Sequence, residues 1–199
     1  MSKTVEFIFD FASPNAYLAH KALPSVLART GASVTYTPCL LGGIFRATNN
    51  RAPMVQFADV PARMAYERLE IQRFIAAHGL TRFTMNPHFP VNTLTLMRAA
   101  IVASEAGTLG RFIDIGLEAM WEAGENMADP EVIVRVLDTH GFDGSAMIAR
   151  TQEQAIKDRL VANTEAAVAR GVFGIPSFFV GDALYFGKDR LAQVEAALA

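Results

Sequence analysis

The chain has 199 residues, of which 51% are hydrophobic and 19% charged, a composition typical of a globular enzyme with a sizeable core. Its formal net charge is −2 and it has no basic tract, which excludes the electrostatic footprint of a nucleic-acid or membrane-surface binder. Asp10 interrupts the first apolar stretch before a signal-peptide core forms, and the single cysteine, Cys39, excludes an internal disulfide. We therefore expect a cytoplasmic protein in a reducing compartment, with no nucleic-acid or membrane partner.

The N-terminal part of the chain has the pattern of a β-α-β unit. Residues 4–11 are rich in aromatic and β-branched residues, which predicts a buried strand. The pair Ser13-Pro14 then predicts a helix start, and the helical pattern runs over 14–30 and stops at Gly31. A second short strand follows over 32–38, so the two strands are expected to lie parallel.

The middle of the chain is predicted to be helical throughout. Apolar periodicity of the helical type recurs over 61–79, 93–107, 109–124 and 130–141, with Gly or Pro at each break. One or two further helices fill 144–170. For about a hundred residues no segment has a strand pattern, which indicates an all-helical insertion.

Strand patterns return near the C-terminus. The segment "IPSFFVGDALYFG" has two short apolar runs around Gly181-Asp182, the signal of a hairpin, and an amphipathic helix closes the chain. The order β-α-β, helices, β-β-α predicts an α/β protein with a thioredoxin-like fold interrupted by an all-helical insertion domain. We expect residues 1–42 and 165–199 to form the thioredoxin-like domain and residues 43–164 the insertion.

The Ser13-Pro14 helix start has the features of an anion site. With Ser13 as N-cap, a capping box would need Glu or Gln where the chain has Ala16. The amides of Asn15, Ala16 and Tyr17 are therefore expected to lack an acidic partner, at the positive end of the helix dipole. The alternative is that Ser13 is a plain structural cap.

Thioredoxin-like proteins carry a Cys-x-x-Cys pair at this junction, with one thiolate stabilised by the helix terminus. Here the four residues are Ser13-Pro14-Asn15-Ala16, so this junction cannot itself exchange disulfides. What remains is a site that can stabilise a thiolate without supplying the thiol. The economical inference is that a small molecule such as glutathione supplies it.

Six segments resemble the 2-hydroxychromene-2-carboxylate isomerases and the similar kappa-class glutathione transferases, whose thioredoxin fold is DsbA-like. Together they cover nearly the whole chain, in the order in which the family has them. They are "FDFASPNAYLA", "LLGGIFRATNNRAP", "VPARMAYERLEIQR", "NPHFPVNTLTLMRA", "GVFGIPSFFV" and "LYFGKDRL".

The resemblance implies roles for five residues in binding glutathione. Ser13 would be the catalytic residue, whose hydroxyl hydrogen-bonds the thiolate. The backbone of Ile175 would pair with the cysteinyl part, and the bond from Ile175 to Pro176 is expected to be cis. Lys188 and Asp189 match the place that holds the γ-glutamyl end, where Asp189 accepts from the ammonium.

Further residues are implied with either a ligand role or a structural one. Asn50 and Arg63 match positions that reach the glycine end of glutathione or the substrate; the alternatives are a turn residue and a solvated helix charge. The expected substrate-side residues are Asn15, Phe45, Phe89 and Asn92. The family often has Tyr-Ser in place of Asn15-Ala16, and a small polar residue in place of Lys188, where the cation either strengthens carboxylate binding or repels the ammonium.

The implied activity is glutathione-dependent isomerisation of an aromatic oxo-acid from naphthalene-type degradation. Two alternatives stay open: a kappa-type transferase that attacks other electrophiles, and a non-catalytic thioredoxin-fold binding module. Relatives imply a homodimer, and the scattered histidines imply no metal. Asp10 is interpreted as a structural hydrogen-bonding group, and Cys39, Met120 and Trp121 as core residues.

Overall fold

The computed structural model describes residues 3–199, which form a four-stranded mixed sheet covered by helices. The strands are β1 (Thr4–Phe9), β2 (Ser33–Pro38), β3 (Ser177–Val180) and β4 (Ala183–Phe186), in the spatial order β2-β1-β3-β4. β1 pairs parallel with β2 and antiparallel with β3, and β3 and β4 form the hairpin. The predicted α/β class and thioredoxin-like element order are confirmed.

Aromatic residues fill the centre of the sheet. Phe7 lies opposite Tyr36 on β2 and Phe178 on β3, with ring centroids 5.5 Å and 4.6 Å away. β1 ends two residues before the predicted end because the chain turns at Asp10, whose carbonyl accepts from the Ser13 amide at 3.3 Å. The first helix begins directly after this turn.

The first helix, α1 (Pro14–Thr30), begins at the predicted Ser-Pro start and ends at Gly31, which has a left-handed φ of 65°. The helix α2 (Leu41–Thr48) follows β2 and was not predicted from the sequence. It forms although Gly42 is a poor helix former, because Ile44 is buried against the core. The remaining helices are α3 (Pro53–Gln56), α4 (Pro61–His78), α5 (Leu94–Glu105), α6 (Leu109–Trp121), α7 (Pro130–Thr139), α8 (Gly144–Arg150), α9 (Gln154–Ala169) and α10 (Leu191–Leu198), with a 3₁₀ turn over Lys188–Arg190.

The segment between β2 and β3 is helical, and within residues 3–199 it contains no strand. Its core includes Met120 and Trp121, both fully buried as predicted. The predicted domain boundary at 164/165 falls inside the continuous helix α9, and the division into two domains stays a prediction. Over the described part of the chain, no helix is long and apolar enough to cross a membrane.

Candidate active site

Ser13 lies where α1 meets the loop that leads into β3. As N-cap it has extended backbone angles, φ −96° and ψ 115°, and its Oγ accepts from the Ala16 amide at 3.2 Å. The same hydroxyl donates to the carbonyl of Ile175 at 3.1 Å. Only 5% of Ser13 is exposed, so this serine is buried at the junction.

Two of the three amides at the helix terminus have partners within the Ser13 residue itself. The Ala16 amide is taken by the Ser13 side chain, and the Tyr17 amide bonds the Ser13 carbonyl at 3.3 Å. Among residues 3–199, the Asn15 amide has no acceptor. In the described chain none of the three amides has an acidic partner, as expected, but only the Asn15 amide is left for a ligand, because the serine hydroxyl caps one donor and helix geometry uses another.

Two further polar groups beside Ser13 lack a partner within the described residues. Asn15 Oδ1 is buried and receives no hydrogen bond, and the Ile175 amide donates none. An unpaired buried polar group costs about 1–3 kcal/mol, so such groups are uncommon in folded proteins. Asn15 follows Ser13 by two residues and Ile175 accepts from the Ser13 hydroxyl, so all three unpaired groups belong to residues next to Ser13.

The loop before β3 is fixed by hydrogen bonds on both sides. The bond from Ile175 to Pro176 is cis, as predicted, and the Pro176 carbonyl accepts from the Gly187 amide at 2.9 Å. Asn50 Nδ2 donates to the carbonyl of Phe173 at 2.8 Å. Asn50 is thus held against this loop, although its predicted contact with glutathione stays a prediction.

Lys188 and Asp189 follow directly after Gly187 and form an ion pair. Lys188 Nζ lies 2.8 Å from Asp189 Oδ1 and 5.3 Å from the centre of the Phe74 ring on α4. The lysine side chain is 4% exposed and that of the aspartate 54%. The sequence did not predict that the lysine side chain turns inward.

Asp10 organises the turn that carries Ser13. Its buried carboxylate accepts from the amides of Ala12 and Leu41 at 2.9 Å and 2.7 Å and from Thr93 Oγ1 at 2.6 Å. Burial raises the pKa of Asp10 above its usual value, and the three hydrogen bonds offset part of that rise. The carboxylate joins the ends of β1, α2 and α5, which fits the structural role predicted for it. Thr93 has no sequence signal that reveals this contact.

Four further predicted ligand residues likewise make no hydrogen bond with Ser13 in the described chain. Arg63 Nη2 pairs with Glu67 at 2.6 Å on the exposed side of α4. Asn92 Oδ1 accepts from the Leu94 amide at 3.0 Å, at the start of α5. Their ligand roles stay predictions, as do those of the two half-buried aromatic residues, Phe45 on α2 and Phe89, whose ring lies 5.9 Å from that of Trp121.

Cys39 is not positioned as a nucleophile. It is fully buried, and burial raises the pKa of its thiol to about 12. Its Sγ lies 3.5 Å from the carbonyl of Asn163 on α9. The predicted core role is confirmed, and the sequence contains no other cysteine.

The chain matches known proteins over almost its full length. The family model of the DsbA-like thioredoxin domain matches residues 4–199. A 2-hydroxychromene-2-carboxylate isomerase from Pseudomonas putida is 30% identical over 98% of this chain and 93% of its own. A kappa-class glutathione transferase from Caenorhabditis elegans is 24% identical over 99% of this chain and 92% of its own.

A solved structure shows the same architecture. That protein is a 2-hydroxychromene-2-carboxylate isomerase, 26% identical, which superposes with a TM-score of 0.83 over 98% of this chain and 94% of its own. Fold, length and sequence therefore agree with the resemblance carried by the six segments. The chain belongs to the DsbA-like thioredoxin-domain family, and within it to the family of the 2-hydroxychromene-2-carboxylate isomerases.

Proposed function

We propose that this protein is a glutathione-dependent isomerase that converts 2-hydroxychromene-2-carboxylate to trans-o-hydroxybenzylidenepyruvate in the degradation of naphthalene-type aromatic compounds. The observation that carries the proposal is the contact between Ser13 Oγ and the Ile175 carbonyl at 3.1 Å. It joins a helix terminus without cysteine to a cis-proline loop with a free amide. The isomerases among its relatives support the reaction type.

The residues around Ser13 fit a thiol tripeptide. A peptide needs a backbone donor and a backbone acceptor, and Ile175 offers an unpaired amide as well as the carbonyl that contacts the Ser13 hydroxyl. Glutathione, when bound, would supply a thiolate that adds reversibly to the conjugated double bond of the ring-opened substrate, allowing rotation before the thiolate leaves again.

Ser13 and the Asn15 amide stabilise the negative sulfur in this proposal. The hydroxyl turns its hydrogen from the Ile175 carbonyl to the sulfur, while its oxygen continues to accept from Ala16. The positive end of the α1 dipole favours the same charge. Hydrogen bonds from the hydroxyl and the amide favour the charged form and so lower the pKa of the thiol, with no basic side chain required.

The substrate side of the site is proposed from the remaining cleft residues. Phe45 and Phe89 are the candidates for an apolar wall beside the aromatic ring. Asn15, Asn92 and Arg63 are the candidates for the carboxylate and for the negative charge that develops on the 2-oxo group. Glu67 holds Arg63 at 2.6 Å, so Arg63 would have to leave that pair to reach substrate.

A second candidate is a kappa-type glutathione transferase, which would use the same thiolate against another electrophile. The kappa-class relative, 24% identical over nearly the whole chain, favours it. Both activities need the Ser13 site, and they differ only in whether the thiolate leaves again.

The deciding experiment follows the chromene substrate by absorbance with dialysed protein, with and without added glutathione. The proposal expects turnover that vanishes on dialysis and returns with glutathione. A chlorinated aromatic electrophile in parallel separates isomerase from transferase. Full turnover without glutathione would exclude the external thiol, and absence of glutathione binding would favour the non-catalytic module. Cytoplasmic location and the homodimer stay predictions.

A further inference from the structure

Strand β4 lies at the edge of the sheet and carries none of the features that keep edge strands from pairing. Among residues 3–199 it has β3 on one side and no strand on the other. Natural edge strands are commonly protected by a lysine, a proline or a bulge, because their unpaired backbone groups can otherwise add another strand. The sequence of β4 is ALYF, and its register with β3 is continuous. The outer side of β4 is therefore open to strand addition.

The hairpin register decides which residues of β4 bond to β3. The Gly187 amide, directly after β4, donates to the carbonyl of Pro176, directly before β3, at 2.9 Å. Hydrogen-bonded and non-hydrogen-bonded pairs alternate along an antiparallel ladder. Counting back from Gly187, the residues of β4 whose backbone groups face β3 are therefore Ala183 and Tyr185.

The other two residues of β4 direct their backbone groups away from the sheet. The amides and carbonyls of Leu184 and Phe186 point to the outer edge, and within residues 3–199 none of the four makes a hydrogen bond. Leu184 is half-buried and Phe186 is 42% exposed, so this edge borders solvent. The edge thus offers two donors and two acceptors in the alternation that an antiparallel strand needs.

These four groups are complementary to a second copy of themselves. When two β4 strands pair antiparallel about a two-fold axis at Tyr185, Leu184 of each copy lies opposite Phe186 of the other. Each of these two pairs exchanges two hydrogen bonds, so the dimer gains four. They use every outward amide and carbonyl of both strands, and no other antiparallel register does so within β4.

The side chains of this edge suit the same pairing. Leu184 and Phe186 lie on one face of the strand, where directly opposite residues of two strands pack against each other. The Phe186 ring is already held in place, because the Phe173 ring lies 4.5 Å away and a Cβ on Gly174 would lie 2.8 Å from it. A fixed ring loses little conformational freedom on association, so burying it against Leu184 of the second copy is favourable.

Charges at the two ends of β4 favour an antiparallel partner. The hairpin tip before the strand carries the exposed Asp182. The turn after the strand has two cations and one carboxylate, and one of these cations, Arg190, is exposed. Antiparallel pairing brings the tip of each copy towards the turn of the other, so opposite charges meet at both ends of the paired strands.

We propose that β4 is a dimer interface, at which two copies of this chain pair antiparallel about Tyr185 and join their sheets into one sheet of eight strands. An unrelated extended peptide would satisfy the backbone groups of one edge. A second copy satisfies two edges at once and also matches the charges at their ends. The inference does not depend on the proposed function, since no part of it involves glutathione.

Cysteine cross-linking tests the register. Only a residue on the two-fold axis meets its own counterpart, so Tyr185→Cys should give a disulfide-linked dimer on a non-reducing gel after mild oxidation. The two Cα atoms of such a non-hydrogen-bonded pair lie about 4.5 Å apart, within disulfide range. Ala183→Cys is the matched control on the same face of the strand, because the pairing sets its two copies about 14 Å apart. The native Cys39 is fully buried. Equal cross-linking of both variants, or cross-linking of neither, overturns the proposal.

Sedimentation equilibrium tests the interface without a cross-link. Wild type should be a dimer, and Leu184→Pro should raise the dimer dissociation constant at least about tenfold, because each copy loses an outward donor while the bonds to β3 remain. Leu184→Val is the control, since it keeps the amide and should stay within about twofold of wild type. Far-UV circular dichroism checks that both variants fold, and the cross-linking result decides if Leu184→Pro does not. A dimer that a folded Leu184→Pro leaves unchanged overturns the proposal. So does a monomeric wild type, including one whose edge takes up an extended peptide instead.

Discussion

Ser13 Oγ and the Ile175 carbonyl are hydrogen-bonded at 3.1 Å although 162 residues separate them in the chain. The contact gives the single hydrogen of the hydroxyl an acceptor before any ligand arrives. In the proposed function, the thiolate would accept a hydrogen bond from this hydroxyl, and the Ile175 carbonyl would then be able to accept from a ligand amide. A single rotation of the Ser13 hydroxyl would therefore make two groups available to the proposed cofactor: the hydroxyl hydrogen as a donor and the Ile175 carbonyl as an acceptor.

Replacing Ser13 with Ala is expected to lower kcat/KM by about 10²–10³, the scale for losing one donor to a developing anion. It should also cost about 1 kcal/mol of unfolding free energy, because the Ala16 amide loses its cap. Ser13→Thr, which keeps a hydroxyl, should retain most activity. Steady-state kinetics and urea unfolding measure the two effects.

The matched control is Asp129→Ala, which removes the cap of α7, where Asp129 Oδ1 accepts from the Glu131 amide at 2.9 Å. It should cost similar stability and leave kcat/KM unchanged. If the two variants lost activity equally, Ser13 would be a cap and nothing more.

The pH dependence of stability reports on Asp10. Its folded pKa lies above the unfolded value because of burial, so the native state binds the extra proton between the two values. Stability contributed through Asp10 therefore falls as the pH rises from about 4. We expect the difference in unfolding free energy between wild type and Asp10→Asn to shrink over this range. A difference that grows with pH would mean that the three hydrogen bonds keep the carboxylate ionised.

Cys39 should be inert in the folded protein. Its thiol is fully buried, with a pKa raised to about 12, so little thiolate exists at pH 8 and reagent cannot reach it. Alkylation by iodoacetamide, followed by mass spectrometry, is expected to proceed only as fast as the protein unfolds. Rapid labelling of native protein with loss of activity would contradict this and reopen Cys39 as an internal thiol.

Helix ends and the hairpin turn could be predicted because short residue motifs specify them. Ser13-Pro14 starts α1, Gly31 ends it with a left-handed φ of 65°, and Gly181, with a φ of 59°, turns the hairpin. Helix α2 could not be predicted, because Gly42 and Gly43 have a low helix propensity. Tertiary packing overrides that propensity here. Gly43 lies close to the Thr164 side chain on α9, a contact invisible in the sequence.

The candidate site was predictable in its residue types and not in its hydrogen bonds. The sequence identified Ser13 and Ile175 separately, and it could not show that one donates to the other. It showed that the Ala16 amide lacks an acidic partner, and it could not show that the Ser13 hydroxyl takes that amide. The direction of the Lys188 side chain depends on Phe74, more than a hundred residues earlier in the chain. Side-chain direction and partner choice are tertiary properties, which residue patterns do not encode.

Gly116 on α6 is expected to be essential for the position of the Ser13 turn. A Cβ at this position would lie 2.6 Å from the Phe11 ring, which is fully buried. The ring cannot move freely, since its centroid lies 5.4 Å from that of the Phe9 ring and the backbone carbonyl of Phe11 accepts from Trp121 Nε1 at 2.9 Å. Gly116→Ala should therefore destabilise the protein by about 1–3 kcal/mol despite the better helix propensity of alanine.

The control lies on the same helix. A Cβ on Gly110 would meet no atom within 4 Å, so Gly110→Ala should stabilise the protein by about 0.5–1 kcal/mol. Because Phe11 lies two residues before Ser13, Gly116→Ala should also raise the KM for glutathione, whereas Gly110→Ala should not change it. Urea unfolding and steady-state kinetics on the pair test this. If both substitutions stabilised the protein, the Phe11 ring would have moved to make room for the new methyl group, and Gly116 would not constrain the turn.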